Sequence, residues 1–293
     1  MKKRLTIIVV VIILIATTLS LFACLSKVEI PQGIDLSIMS FNIRQDTSTD
    51  GGTHAWSYRR EYLVEHIKEQ NPSILGMQEV KSNQYAYIKE ALASTHEVIW
   101  YSRTVDNSQE GLAIAFDKSK FELMSRDMFW LSETPNEESK GFGALFLRIC
   151  VHAVLKEIET QREISVYCVH LEVLGEKARN KEIELVLSRI EEEGKDTIVL
   201  GDFNTDEDSD CYKTTSQKLS STQKTALEKE EGITYQDFGG NYLTFSKSID
   251  FIFASDAFFA KKFDILQETK KVDDTDVYYS DHFAIRADLI FKS

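Results

Sequence analysis

Several polar residues stand where apolar runs stop. Asn42 follows Ser40-Phe41, Glu79 follows Leu75-Gly76-Met77-Gln78, and His170 follows Tyr167-Cys168-Val169. Asp202 and Asn204 follow Ile198-Val199-Leu200-Gly201, Asp250 opens Asp250-Phe251-Ile252-Phe253, and Asp281-His282 precede the last apolar segment. Any one of these alone reads first as a turn residue or a helix cap. Together they point to one convergent polar site, because a buried carboxylate, amide or imidazole is costly without a partner. Carboxylates beside imidazoles and amides are what oxygen coordination of a hard cation and proton transfer to or from water require.

Alternating elements would position them. Residues 36–42 suit a central strand, and 59–70 has helical periodicity with Leu63 and Ile67 on its apolar side, stopped by Asn71-Pro72. Residues 74–79 read as a strand and 82–92 as a helix. Strands are expected at 97–102, 111–116, 122–131 and 144–156, and the polar reversal 157–162 leads into a hairpin partner at 164–171. An amphipathic helix over 178–192 and a buried strand at 197–201 follow, with late strands near 243–245, 249–253 and 282–290. The polar stretch 205–232 reads as an insertion within the domain. Two sheets flanked by helices accommodate this mixture.

The 293 residues are 43% hydrophobic and 28% charged, the profile of a globular chain rather than a disordered one. Lys2, Lys3 and Arg4 precede an uncharged apolar run over 5–25. That run exceeds the ~7–15-residue core of a cleaved secretory signal and approaches the ~20 residues that span a bilayer. Leu21-Phe22-Ala23-Cys24 resembles a bacterial lipoprotein processing site with Cys24 acylated; the alternative is a membrane-embedded cysteine. In both readings residues 1–27 are a signal or membrane anchor, and 34–293 form one extracytoplasmic domain, a monomer tethered to the membrane. All 47 Asp and Glu lie beyond residue 27, against 30 of the 34 Lys and Arg. Such an acidic domain disfavours processive binding of long duplex DNA but leaves chemistry at a metal site open. Cys150, Cys168 and Cys211 match no zinc spacing. Cys150 and Cys168 fall on neighbouring strands where a bridge is conceivable, but buried free thiols are the preferred reading.

Six motifs in order, Ser40-Phe41-Asn42-Ile43, Gln78-Glu79, His170-Leu171-Glu172, Gly201-Asp202-Phe203-Asn204, Ile249-Asp250-Phe251 and Ser280-Asp281-His282, resemble the endonuclease/exonuclease/phosphatase superfamily across residues 38–289. Trp56 with Arg59, the run Phe129-Trp130-Leu131-Ser132-Glu133-Thr134-Pro135, and Arg148 resemble a bacterial, membrane-anchored or lipoprotein-like branch of it. The resemblance implies an α/β fold, a four-layer α/β/β/α sandwich of two mixed sheets flanked by helices (DNase I-like). It also implies hydrolysis of phosphoester bonds with a divalent metal, magnesium or manganese. A phosphoester is anionic, so a hard cation must neutralise the developing charge. On this reading Glu79 is the first metal ligand, supported by Asn42, with Asp281 a further oxygen donor. Asp202 and Asn204 orient water or phosphate, His282 is the general base, Asp250 fixes its tautomer, and His170 donates to phosphate or to the leaving group.

Cys168-Val169 stands where relatives often carry Asn-Thr, Glu172 where Asp or Ser is common, and Arg44 where some nucleases carry a second metal-binding Asp. Arg103, Arg148 and Glu110 read equally as substrate contacts or as paired structural ions. Trp56 and Trp130 read as packing before base stacking, Glu191-Glu192-Glu193 as a solvated helix end, and Asp273-Asp274-Thr275-Asp276 as an exposed acidic loop. His54, His66, His96 and His152 have no motif context and no role. Three classes remain: a phosphodiesterase or endonuclease with nucleic acid among its substrates, a phosphatase or lipid phosphodiesterase on a small or membrane substrate, and a non-catalytic surface binding module.

Overall fold

The computed structural model describes residues 29–240 and 246–293. The expected anchor at 1–27 with Cys24 and the expected strand at 243–245 lie outside the described residues. Among the described residues, no helix is long and apolar enough to cross a membrane.

The chain begins β1 (Gly33–Asn42), α1 (Trp56–Gln70), β2 (Ile74–Val80), α2 (Ser82–Leu92), β3 (His96–Ser102) and β4 (Gly111–Asp117). Next come β5 (Phe121–Trp130), β6 (Ile149–Glu157), β7 (Glu163–His170), α3 (Glu176–Glu193) and β8 (Asp196–Asp202). The stretch 205–232 holds the short α4 (Asp210–Ser216), β9 (Ser220–Ser221), α5 (Thr222–Thr225) and β10 (Glu228–Lys229). The chain closes with β11 (Asp250–Ala254), β12 (Phe258–Leu266), β13 (Lys270–Val272), β14 (Thr275–Val277) and β15 (Ala284–Lys292). Among the described residues one sheet runs β10-β12-β15-β1-β2-β4-β3 and a second β5-β6-β7-β8-β11-β9. Both are mixed, with parallel pairs β1–β2 and β7–β8 at their centres.

Alternation along the strands builds the layers. Ile38, Ile114, Val166 and Ile198 meet in the core between the two sheets. Met39 and Phe41 turn the other way, onto Leu63 and Ile67 of α1 and Ile88 and Leu92 of α2. Tyr167, Val199 and Phe253 turn outward onto Ile183 and Val186 of α3 and Tyr212 of α4. The order is helices, sheet, sheet, helices, the four-layer sandwich expected. Central strands covered on both faces read as near-continuous apolar runs, as in Ile198–Leu200 of β8 and Phe251–Ala254 of β11, with polar residues mostly at or near the strand ends.

Some details depart from expectation, while the exposed acidic turn at 273–276 and the buried free thiols match it. Strand β6 begins at Ile149, not 144. Phe142 and Gly143 turn the chain at positive φ (58° and 81°), and the N–H groups of Leu145 and Phe146 both donate to Glu172 Oε2 at 3.0 Å instead of joining a ladder. Strand β12 has no counterpart in the expected elements, because a bulge between Ala260 and Lys262 resets the inside–outside alternation halfway along it. The acidic stretch 273–276 forms the tip of the β13–β14 hairpin and the start of β14, with Asp273 and Asp274 both at positive φ as a two-residue turn demands. Glu193 is not solvated: its Oε2 accepts from Ser165 Oγ (2.6 Å) and Tyr167 Oη (2.8 Å) and lies 3.2 Å from His152 Nε2. Cys150, Cys168 and Cys211 are free and buried. Cys168 sits opposite Val151 and Cys150 opposite Val169, one step out of phase. Their side chains therefore point to opposite faces of the sheet, Cys168 into the inter-sheet core and Cys150 toward α3.

Candidate active site

Strand direction gathers the polar residues at one end of the sandwich. The parallel strands β1 and β2 deliver Asn42 and Glu79 there, and the parallel strands β7 and β8 deliver His170 and Asp202. β11 runs antiparallel to β8, so its first residue, Asp250, pairs directly with Asp202. β15 runs antiparallel to β1, which brings the preceding Asp281 and His282 to the same end. All eight residues expected from the sequence are thereby brought together. Two local devices aim them. Glu79 sits at φ 60°, where the β2–β4 register slips between Met77 and Val80, so the bulge swings its carboxylate out of the ladder. Gly201 adopts φ 152°, and a Cβ there would lie 2.0 Å from Val169 O, so only glycine lets β8 reach Asp202 beside β7.

The hydrogen bonds form one network. Asn42 Nδ2 donates to Asp202 Oδ2 (3.0 Å) and Glu79 Oε1 (3.3 Å), while its Oδ1 accepts from Arg44 N (3.1 Å). Asn42 thus ties a carboxylate of each sheet to one amide, a bracing position. Glu79 Oε2 accepts from Gln45 N at 3.1 Å. Asn204 donates its N–H to Asp202 Oδ1 (2.8 Å) and its Nδ2 to Leu171 O (2.9 Å). His282 Nδ1 donates to Asp250 Oδ2 at 2.9 Å, as it must to an acceptor-only carboxylate, leaving Nε2 3.7 Å from Asp202 Oδ2. His170 Nε2 lies 3.5 Å from the same oxygen. The segment around Thr234 clamps this arrangement: Thr234 Oγ1 accepts from Asp250 N (3.3 Å), and Gln236 N and Asp237 N donate to Asp281 O (2.9 and 3.0 Å).

Behind the network, the fully buried Arg59 donates to four main-chain carbonyls: Ile43, Arg44, His54 and Tyr279, at 2.7–2.9 Å. Burial lowers its pKa to about 10, still charged at neutral pH. Trp56 packs against this guanidinium (5.2 Å), and Trp130 Nε1 donates to Arg103 O (2.9 Å); both indoles are buried packing groups. His66 and His96 are buried outside the site, and His54 stacks on Phe238.

Burial dominates the electrostatics. Burial opposes charge on His282, but Asp250, Asp202 and Asp281 outweigh it and push its pKa up to about 10. Asp202 is pushed up to about 7 by burial and by the facing Asp250. Asp281 is raised by burial, with Glu79 adding to the shift. His170 is held well below its ordinary value by burial and by the charges of Arg148, His282 and Arg103, so its ring is neutral. Arg44 is gripped by Asp50 through two 3.0 Å bonds and lies 3.4 Å from Asp281 Oδ2.

Arg44, Glu79, His170, Asp202, Asn204, Asp281 and His282 line a cleft of about 320 Å³. Asp202, Asp250 and His282 each offer a ligand atom within 4.8 Å of the others, a group that could hold a metal. His282 Nδ1 is already committed to Asp250, however, so the acidic side formed by Glu79 and Asp281 is the better seat. Asp281 is buried beside Glu79, and the nearest guanidinium to it, Arg44, is already held by Asp50. That oxygen-rich donor set fits a hard divalent ion. Tyr235, whose ring stands 5.1 Å from that of His282, also lines the cleft; it escaped sequence reasoning because a lone tyrosine in a polar stretch carries no pattern.

Residues 39–282 match the model of the Endonuclease/Exonuclease/phosphatase family. The chain belongs to that family, and so to the phosphoester hydrolases. It is similar to an endonuclease/exonuclease/phosphatase family protein of Bacteroides thetaiotaomicron, at 29% identity and TM-score 0.83, over 89% of this chain and 100% of that one. It is also similar to the mannosyl-6-phosphatase of the same species, at 29% identity and TM-score 0.80, over 87% and 100%. Among curated proteins it is 25% identical to the probable RNA exonuclease NGL3 of Saccharomyces cerevisiae over 61% of this chain, spanning only 39% of that protein.

One consequence is a signature in stability. The folded pKa of His282 lies above the ordinary 6.5, so its pairing contributes fully below that value and is lost as pH climbs toward about 10. In chelator-treated protein, the gap in melting temperature between wild type and His282→Gln is expected to be widest at pH 6.5 or below and to close near pH 10. A gap that widens with pH would contradict the pairing.

Proposed function

We propose that this chain is a divalent-metal-dependent hydrolase of small phosphoesters, carried out by the Asp250–His282–Asp202 relay. The observation that carries the reading is that relay: an imidazole anchored at 2.9 Å on one buried carboxylate, facing a second at 3.7 Å, beside an acidic seat. Glu79 and Asp281 would hold magnesium or manganese, with Asn42 bracing Glu79 against Asp202. When bound, such an ion neutralises charge building on the phosphoryl oxygens. Asp202, with its pKa near neutrality, is matched to accept the proton of the attacking water at Oδ2, and Asn204 holds its other oxygen. His282, protonated at rest, serves as a charged donor from Nε2. This reverses the general-base assignment expected from sequence, because three carboxylates face that imidazole. Neutral His170 donates toward the leaving oxygen. The binding-module reading would tolerate a broken relay; here it is intact.

The small volume of the cleft and the acidic chain favour a small substrate over long duplex nucleic acid, and the similarity to a mannosyl-6-phosphatase supports this. The RNA exonuclease relative favours the second reading, a nuclease. A panel of RNA, plasmid DNA, sphingomyelin and sugar phosphates, with magnesium, manganese or chelator, separates the two. We also propose that residues 1–27 tether the domain outside the cytoplasmic membrane.

Glu79→Ala is expected to abolish metal-dependent hydrolysis in a folded protein; unchanged metal affinity by calorimetry, with an unchanged melt, would overturn the ligand assignment. His282→Ala should lower turnover by the ~10²–10⁴ typical of acid–base groups. Asp250→Asn should cause a large fall with little change in metal binding. If the two act as one unit, the double variant is scarcely worse than the worse single variant, whereas full multiplication of the defects would show that they act independently. Labelled fatty acid should enter the wild type and not Cys24→Ala; incorporation into neither would favour an uncleaved membrane span.

A further inference from the structure

Arg148 is a buried charge that no carboxylate among the described residues reaches at ion-pair distance, although the buried Glu110 and Glu182 attract it from further away. It is 6% exposed, its Nε has no hydrogen-bond partner, and it enters none of the ion pairs among the described residues. Its neighbour Arg103 is ion-paired to Glu110. Glu110 cannot balance both: burial pushes its pKa up to about 7, against the pull of Arg103 and Arg148. A chain of formal charge −13 therefore keeps a locally cationic wall in its cleft, beside His170. An uncompensated buried guanidinium destabilises a fold, and such violations of ordinary packing rules concentrate where a ligand completes the site.

The wall is also preorganised. The Phe146 ring lies 5.6 Å from the Arg103 guanidinium and 5.4 Å from that of Arg148. Phe146 is fixed in turn by Glu172, whose Oε2 accepts from Leu145 N and Phe146 N. Glu172, a departure from the family pattern at the sequence level, thereby holds the loop that carries Phe146 toward Arg148. The planar fork of a guanidinium matches the paired oxygens of a phosphate.

We propose that Arg148, with Arg103 beside it, is the seat for the non-bridging oxygens of a terminal phosphate, so that this enzyme prefers phosphomonoesters to phosphodiesters. The inference rests on the reading of the cleft as a phosphoester hydrolase site. A monoester carries close to two negative charges at neutral pH, whereas a diester carries one and places an ester group where the seat expects an oxyanion. In the reaction the water oxygen bonds to phosphorus, the bond from phosphorus to the alcohol oxygen breaks, and the water proton ends on the alcohol, giving inorganic phosphate.

The test compares p-nitrophenyl phosphate with methyl p-nitrophenyl phosphate, with magnesium, in wild type and Arg148→Met, alongside inorganic phosphate binding to the metal-free proteins by calorimetry. Wild type is expected to favour the monoester. Arg148→Met should lower the monoester-to-diester ratio of kcat/KM by about 10- to 100-fold, the worth of a charge-assisted hydrogen bond, and weaken phosphate binding comparably. Arg148→Lys, which keeps the charge but loses the fork, should fall between them and serves if the methionine variant does not fold. A wild type that favours the diester, or a ratio and phosphate affinity unmoved in the variants, overturns the proposal. If wild type cleaves neither ester, the hydrolase reading fails, and phosphate binding still decides the seat: loss in the variants upholds it, and equal binding by all proteins overturns it.

Discussion

The protonated His282 between Asp250 and Asp202 is the contact on which the rest of this architecture depends. The two carboxylates face each other directly across the β8–β11 pair, an arrangement of like charges that is destabilising by itself. A cation must enter from outside the second sheet. It comes from the segment before β15, which belongs to the first sheet, and is held by the Thr234 clamp. The cost of two buried acids on one sheet is thus offset by an imidazole supplied from the other, and the two sheets are joined electrostatically at the end where their central strands open.

Much of this was legible in the sequence, for a physical reason. Strands sandwiched between layers are mostly apolar, so the polar residue that ends each run stands out: Glu79, His170, Asp202, Asn204, Asp281 and His282 all line one cleft, and Asn42 and Asp250 are hydrogen-bonded to its carboxylates and imidazole. Features that depend on backbone irregularity were not legible. The bulge in β12 scrambles the alternation that would announce a strand. Glu79 projects through a left-handed backbone that no neighbouring glycine signals. Segment 144–148 is apolar enough to mimic strand, yet its N–H groups answer to a carboxylate distant in sequence. Glu193 looked like one of three solvated acids, and only the fold shows Ser165 and Tyr167 reaching it.

The two buried arginines near the cleft illustrate opposite uses of one side chain. Arg59 directs its guanidinium at four carbonyls that no secondary structure satisfies, and so stabilises the loop bearing Arg44 and the turn before Ser280. Among the described residues Arg148 meets no such carbonyl and leans on an aromatic ring. Burial alone does not separate a structural arginine from a functional one; the count of its acceptors does.

The single amide of Asn42, hydrogen-bonded to Glu79 on one sheet and Asp202 on the other, has a consequence for how the domain can drift through mutation. Its reach is set by the spacing of the two sheets, and that spacing is set by side chains such as Ile114 and Leu200 in the core between them. Close-packed interiors transmit small changes in volume, and a misplacement of about 1 Å at reacting groups can cost ~10²-fold in rate. The inter-sheet core therefore acts as a caliper for the chemistry, and its residues answer to selection on geometry well before any variant is unstable enough to be lost.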